Sequence, residues 1–385
     1  MTESAGIYVH IPFCVRKCIY CDFYSITDLS LQNAFVDALK AEIAAAENTD
    51  TLHFDSVYIG GGTPSLLDVG HLAKILEQIH HRFHPAPSSE ITIEVNPGTV
   101  TADKLRALHH LGITRLNIGV QSFQNAHLKW LGRIHTAEDA RNAIDWARTA
   151  GFKKIGIDLI YGLPQQCRKV WQDDIQCAIS FHPEHLSCYM LTCEPGTPLD
   201  YMRRHRQYTP LDDTQGYTLF ETTRVELAKA GYPMYEVSNF AREDAGALNA
   251  NRSRHNQKYW RGTPYIGFGP AAHSYIYPVR RRNHRNIHTY MADMHQGKRP
   301  VAETEILTRE QQMIEMIFLG FRTVEGISLQ RFRQISGLNF ADVFHDLLSD
   351  PDIRPRISLT DDFCRLTFQG MALLDSITQM FVDRL

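Results

Sequence analysis

The sequence has no uninterrupted apolar run approaching the roughly 18 residues of a membrane-spanning helix. It has little charge imbalance: the net charge of -3 gives no overall pull toward nucleic acid or an anionic membrane. The opening MTESAG has neither the basic n-region nor the apolar h-region of a secretion signal, so the expected location is the cytoplasm. No solenoid-type repeat and no low-complexity tract interrupts the chain. Eight cysteines without an export signal point to metal ligation rather than disulfides. Three of them cluster, and the clustered three have no fourth cysteine close by.

What is present is an alternating pattern. Across 385 residues, β-rich runs at 7–11, 54–59, 91–95, 115–120, 155–160 and 186–191 are separated by longer helical segments. Leu31, Phe35, Leu39 and Ile43 recur every four residues and make one apolar helix face. Thr136 to Asp139 reads as a capping box at the start of another helix. Alternation at this spacing predicts βα units around a parallel sheet, an α/β class. Six units would give an open, partial (β/α)6 barrel; a doubly wound sheet is the competing arrangement.

A further helix is expected over 212–230 and a less regular region over about 235–298, rich in Asn, His, Tyr, Arg and Gly. Gly297 to Pro300 reads as a linker. Helical patterns follow at 309–321, 329–336 and 340–348, then a short strand and turn at 364–370 and a last helix. This divides the chain into a barrel domain, 1–298, and a mostly helical, winged-helix-like module, 299–385. The module has no strong basic stripe, so nucleic acid is not an expected partner.

Cys14, Cys18 and Cys21 stand in a C-x3-C-x2-C run. A structural zinc site would need a fourth protein ligand, which His10 is near enough in sequence to offer. A ferredoxin-type cluster would need a fourth cysteine, commonly close in the run. The remaining option is a [4Fe–4S] cluster with one iron open to an exogenous ligand. Elsewhere, GGGTP at 60–64, Glu94, Gln121, Arg133 and Asp158 fall at or after the carboxyl ends of successive expected strands. That is the face on which barrel enzymes build their sites.

The cysteine run after a first strand resembles the radical S-adenosylmethionine (SAM) superfamily, in which SAM itself chelates the open iron. YVHIPFCVRKCIYC, GGGTPS, EVNPGT, NIGVQSF, LGRIH and DLIYGLPQQ together resemble the oxygen-independent coproporphyrinogen III oxidase family, HemN and HemW. The resemblance implies the cluster on Cys14, Cys18 and Cys21, and SAM contacts from Tyr8, Gly61, Gly62, Thr63, Glu94, Gln121, Arg133 and Asp158. In the true oxidases the run continues to a fourth cysteine; here Phe23 stands there, and Phe cannot supply a thiol, proton or electron. CDF at 21–23 resembles the HemW branch of haem chaperones.

RHNQKYW at 254–260 matches the HNxxYW pattern associated with haem in that branch. His255 offers an axial imidazole, Tyr259 and Trp260 offer flat apolar surfaces, and Arg252, Arg254 and Arg261 could meet propionates. His273, His284 and His288 are rival ligands within or just beyond a haem segment of about 250–275. The resemblance implies haem and recipient respiratory haemoproteins as partners, a homodimer, and peripheral contact with membrane-bound acceptors. Oxidative decarboxylation of coproporphyrinogen III, a radical SAM reaction on an unknown substrate, and a zinc-dependent structural role are the alternatives. Cys167, Cys177, Cys188, Cys193 and Cys364 read as structural thiols, and 203–206 and 280–282 as solvated basic faces.

Overall fold

The computed structural model describes residues 4–47, 49, 51–244 and 249–385; the first three residues of MTESAG lie outside them. Among the described residues one large sheet holds β1 (Ala5–Ile11), β2 (Phe54–Gly61), β3 (Glu90–Val95), β4 (Arg115–Gln121), β5 (Lys154–Tyr161) and β6 (His185–Met190). It also holds β7 (Met234–Glu236), β8 (Asn239–Ala241), β9 (Tyr265–Phe268), β10 (His273–Ile276), β11 (Val279–Asn283) and β12 (Val301–Ile306). The order is β12-β11-β10-β9-β1-β2-β3-β4-β5-β6-β8-β7. From β9 through β6 every pairing is parallel.

All six expected strands form, and they lie side by side in chain order. That order is a partial barrel: right-handed crossovers between successive neighbours put the helices on one face. A doubly wound sheet would reverse its strand order, and this sheet does not.

Each strand divides its residues by parity. Ile7, Val9 and Ile11 of β1, Val57 and Ile59 of β2, and Ile91 and Ile93 of β3 join the buried core with the helices. The alternate positions, Tyr8, Tyr58 and Glu94 among them, face the lumen of the barrel. The helix Val69–Phe83 shows the outer packing: Leu72, Ile75, Leu76, Ile79 and Phe83 are buried at helical spacing, and Asp68 caps the start by accepting from the His71 backbone N–H. Each such side chain contributes about 1.5–3 kcal/mol over its exposed state. The capping box expected at Thr136 and Asp139 is present at the start of Ala137–Thr149.

The region expected to be irregular, 235–298, instead supplies strands. β9 pairs in parallel with β1 and extends the sheet beyond the first unit. β10, β11 and β12 continue it antiparallel. Their alternation is masked because charged and aromatic residues occupy both faces. β12 lies beyond residue 299, where the second module was expected to begin, and pairs with β11 of the large sheet.

The C-terminal part packs the helices Arg309–Phe321 and Leu329–Ser336 on a small sheet of β13 (Ile327–Ser328), β14 (Ile357–Leu359) and β15 (Phe363–Leu366), ordered β13-β15-β14. The helix expected over 340–348 breaks at Phe344, whose backbone sits at φ -107, ψ 21. Its ring packs 4.6 Å from Phe340 and 4.8 Å from Phe381, centroid to centroid. Among the described residues no helix is long and apolar enough to cross a membrane.

Candidate functional site at the carboxyl end of the barrel

β1 ends in a loop that carries the three thiols. The loop is pinned to itself, with Ile26 N–H donating to Pro12 O at 2.7 Å and Cys14 N–H to Ile26 O at 2.9 Å. It is also pinned to the neighbouring connection, where Arg16 donates to Gly132 O at 2.7 Å and Arg133 O at 3.0 Å. Cys14 is buried with its Sγ 3.4 Å from Thr63 Oγ1. Arg133 points an Nη1 donor at Cys18 Sγ (3.6 Å), and its Nη2 donates to Gly119 O at 2.7 Å. Burial pushes the Cys21 thiol up to about 11, against a Phe23 backbone contact that lowers it, while Cys18 and Cys14 nearby raise it further.

Among the described residues no three His, Cys, Asp or Glu side chains converge tightly enough for one metal ion. Zinc would require such convergence, with every donor about 2–2.3 Å from one centre. Three sulfurs bound to three different irons of a cluster need not meet at a point. His10, the ligand a zinc site would have recruited, is committed elsewhere. Its Nε2 lies 2.9 Å from Tyr24 O and its Nδ1 3.1 Å from Tyr8 Oη. The Tyr24 carbonyl can only accept, so Nε2 carries the proton and Nδ1 accepts from Tyr8. Burial drives His10 down to about 4, so it is neutral.

The glycine turn after β2 lies against this loop. Gly61 has φ +112, and a Cβ there would stand 2.7 Å from the His10 ring; one on Gly62 would stand 2.8 Å from Phe13 O. Only glycine lets the turn approach this closely. Gly61 N–H and Tyr58 Oη each donate to Glu94, at 3.1 and 2.9 Å. Asn117 Nδ2 holds both oxygens of Asp158, at 3.0 and 2.8 Å. Burial raises Glu94 to about 7 and Asp158 to about 6, and Asp158 raises Glu94 further. Two buried carboxylates facing one lumen favour a cationic occupant. Gln121 has φ +70 and lays its amide over Gly119. Among the described residues the buried Nε of Arg133 has no hydrogen-bond partner.

Tyr8, Gly61, Gly62, Thr63, Glu94, Gln121, Arg133, Asp158 and the three cysteines thus gather at one end of the barrel. Tyr58 and Asn117, which orient the two carboxylates, were not singled out in the sequence. They sit at lumen-facing parity, two positions before Gly60 and Gly119, and that was the available signal.

His255 lies one layer deeper, its ring 5.3 Å from Tyr58 and 6.3 Å from Tyr8, centroid to centroid. The helix Arg254–Arg261 plugs the amino end of the barrel. His255 is fully buried, with Nδ1 3.1 Å from Ser56 Oγ and Nε2 3.0 Å from Tyr259 Oη. Burial lowers it to about 3. Lys258 is tied to Asp55 at 2.6 Å. Arg252 and Arg261 both bind Glu325 of the C-terminal part, at 3.2 and 2.9 Å, and Arg322 lies 4.7 Å over the Trp260 ring. Arg254 donates to Ser88 O. Among the described residues the motif's buried Trp260 Nε1 has no hydrogen-bond partner, whereas both His255 ring nitrogens do.

The profile of the radical SAM superfamily matches residues 8–176, and that of the HemN C-terminal domain matches residues 307–373. The heme chaperone HemW of Bacillus subtilis is 33% identical, covering 98% of this chain and 99% of its own. Heme chaperone HemW of Escherichia coli is 32% identical, covering 98% of each. The mitochondrial radical S-adenosyl methionine domain-containing protein 1 of Bos taurus is 31% identical, covering 100% of this chain and 88% of its own. In structure, the coproporphyrinogen III oxidase HemN of Escherichia coli superposes with a TM-score of 0.84 at 24% identity, over 100% of this chain and 91% of that one. The chain belongs to the HemN/HemW family of radical SAM proteins.

Proposed function

We propose that this member of the radical SAM superfamily is a haem chaperone: it binds haem and hands it to haem-dependent respiratory enzymes. The observation that carries the proposal is likeness to HemW chaperones over 98% of the chain. Phe23 supports it. It is 67% exposed at the position where the resemblance expects an oxidase to carry its fourth cysteine.

In this reading Cys14, Cys18 and Cys21 hold a [4Fe–4S] cluster, and SAM closes its open iron. The cluster supplies low-potential electron chemistry when bound. The chain's own residues do the rest. Glu94 and Asp158, held by Tyr58, Gly61 and Asn117, set two buried carboxyls against a cationic SAM, whose charge would favour their ionised forms. Gly61, Gly62 and Thr63 give backbone access, and Gln121, on the strand between those of Glu94 and Asp158, and Arg133, bonded to Gly119 O of that strand, complete the lining. Tyr8 is fixed toward neutral His10. Haem falls to the segment of about 250–275. We assign residues 1–298 to the barrel and 299–385 to the C-terminal module, whose β12 joins the barrel sheet, with a homodimer working in the cytoplasm and touching membrane-bound acceptors peripherally.

The test is an anaerobic titration of the cluster-reconstituted chain with ferric haem, followed by the Soret band, then mixing with an apo-haemoprotein. A saturable band that moves to the acceptor is expected. Absence of saturable binding overturns the proposal and makes coproporphyrinogen III, with SAM and reductant, the next substrate to assay.

A further inference from the structure

We propose that the haem-ligating residue is His273, on the lumen face of the sheet beyond β9, with Arg282 and Arg280 beside it to receive the propionates. This rests on the haem-chaperone reading and gives it a site.

Strand parity places these residues. Tyr265 of β9 is the Cα partner of Gly6, which shares the lumen face of β1 with Tyr8. Tyr275 of β10 is the partner of Tyr265, so Tyr275 and His273, two residues apart, face the lumen as well. Across the next pairing His273 meets Arg282, and Tyr275 meets Arg280. The opposite face is accounted for independently, since Asn283 donates to the buried Glu42 under the helix layer at 2.6 Å. Tyr8 pairs with Gly267, whose missing side chain makes room for the His273 backbone: a Cβ there would stand 2.1 Å from His273 O. β9 runs parallel to β1, so its last residues end at the same pole as the cysteine loop. Past β11, Arg285 donates to Asp22 O at 3.3 Å, so this edge meets the cysteine loop.

His273 and His255 differ in what iron needs. His255 has both ring nitrogens hydrogen-bonded in the core. The His273 imidazole is exposed and, among the described residues, has no hydrogen-bond or ring partner. Partial burial and then Arg282 and Arg280 hold it below its ordinary range. The guanidiniums are already neighbours of carboxylates. Arg282 meets Glu303 at 2.9 Å, and Arg280 meets Glu315 at 2.6 Å and Glu305 at 4.0 Å. Each engages them through one nitrogen, which leaves further N–H donors of the five on each group. Their side chains are 44% and 31% exposed, so a propionate can reach both. The rival histidines lack this setting. His284 faces Asp293 at 3.4 Å, and His288 sits on the outer helix Ile287–His295.

The experiment titrates ferric haem, and ferric haem dimethyl ester as the uncharged probe, into the cluster-reconstituted parent, His273→Ala, His273→Gly, His255→Ala and Arg282→Gln. Binding is read by the Soret band and ligation by low-temperature EPR. His273→Ala is expected to lose the histidine-ligated EPR signature and to bind roughly tenfold or more weakly. Free imidazole should restore the signature to His273→Gly. Arg282→Gln should weaken haem roughly tenfold and leave the ester unchanged. Loss in His255→Ala with parent-like binding in His273→Ala overturns the site and leaves the chaperone reading intact. So does parent-like binding in both variants. No saturable binding by the parent overturns both.

Discussion

At the amino ends of the strands His255, Tyr259 and Lys258 are satisfied by Ser56, by each other and by Asp55, and the helix that carries them is clamped from outside by Glu325 and Arg322. The carboxyl ends gather a different set of groups. Three thiols face a shared space, two buried carboxyls are pushed toward neutrality, and, among the described residues, Arg133 holds an unpaired Nε. Both ends are polar, and both carry a sequence motif of the family. The difference is that the motif histidine at the amino end has both ring nitrogens hydrogen-bonded within the fold, while the carboxyl end gathers three thiols and two buried carboxyls. A motif histidine in a barrel is therefore not evidence of ligation until its nitrogens are located.

The comparison breaks most visibly at the cysteines. Cys18→Ser, and equally Cys14→Ser or Cys21→Ser, should abolish reconstitution while the chain stays folded; iron and sulfide analysis beside circular dichroism checks this. The floor should fail in the opposite manner. His255→Ala removes a fully buried ring and strands Ser56 and Tyr259, which costs about 3–4 kcal/mol. Denaturant unfolding of the apo chain measures that loss, and reconstitution should survive it under native conditions.

The third effect is a pH slope. Burial raises Glu42 and Glu94 from an ordinary 4.5 to about 7 in the folded chain. The folded state therefore holds more protons between those values, and stability falls as pH rises through that window. Unfolding midpoints across pH should show the decline, and Glu42→Gln should flatten it. The smallest effect belongs to the clamp. The Arg261–Glu325 pair is nearly half exposed on both sides, at 49% and 42%, so Glu325→Gln should cost no more than about 1 kcal/mol. A larger loss would mean that the floor depends on the C-terminal part more than its contacts indicate.

Much of this was legible in the sequence. β1 to β6, the capping box at Thr136 and the helix faces follow from periodicity, because the residues that bury them recur at strand or helix spacing. The cysteines and the lumen residues at the strand ends are legible because a motif and a strand end coincide. β9 to β12 were not legible. Arg280, Arg281 and Arg282 in succession hide a strand whose alternate faces both bind charge, Glu303 and Glu315 on one side and the Glu42 shell, through Asn283, on the next. Phe344 breaks a helix for a reason that only tertiary packing supplies. The burial and hydrogen bonds of His255 were not legible for a related cause: its sequence signature gives the residue type and not the direction of the ring.

The central claim is that the carboxyl end of the barrel is built for a three-cysteine cluster completed by SAM. The most direct measurement is EPR of the reconstituted, reduced chain before and after SAM is added. The account predicts a [4Fe–4S] signal that shifts with SAM, keeps that shift in His255→Ala, and is absent in Cys18→Ser. A cluster signal indifferent to SAM, or metal analysis that finds zinc in place of iron and sulfide, would contradict it.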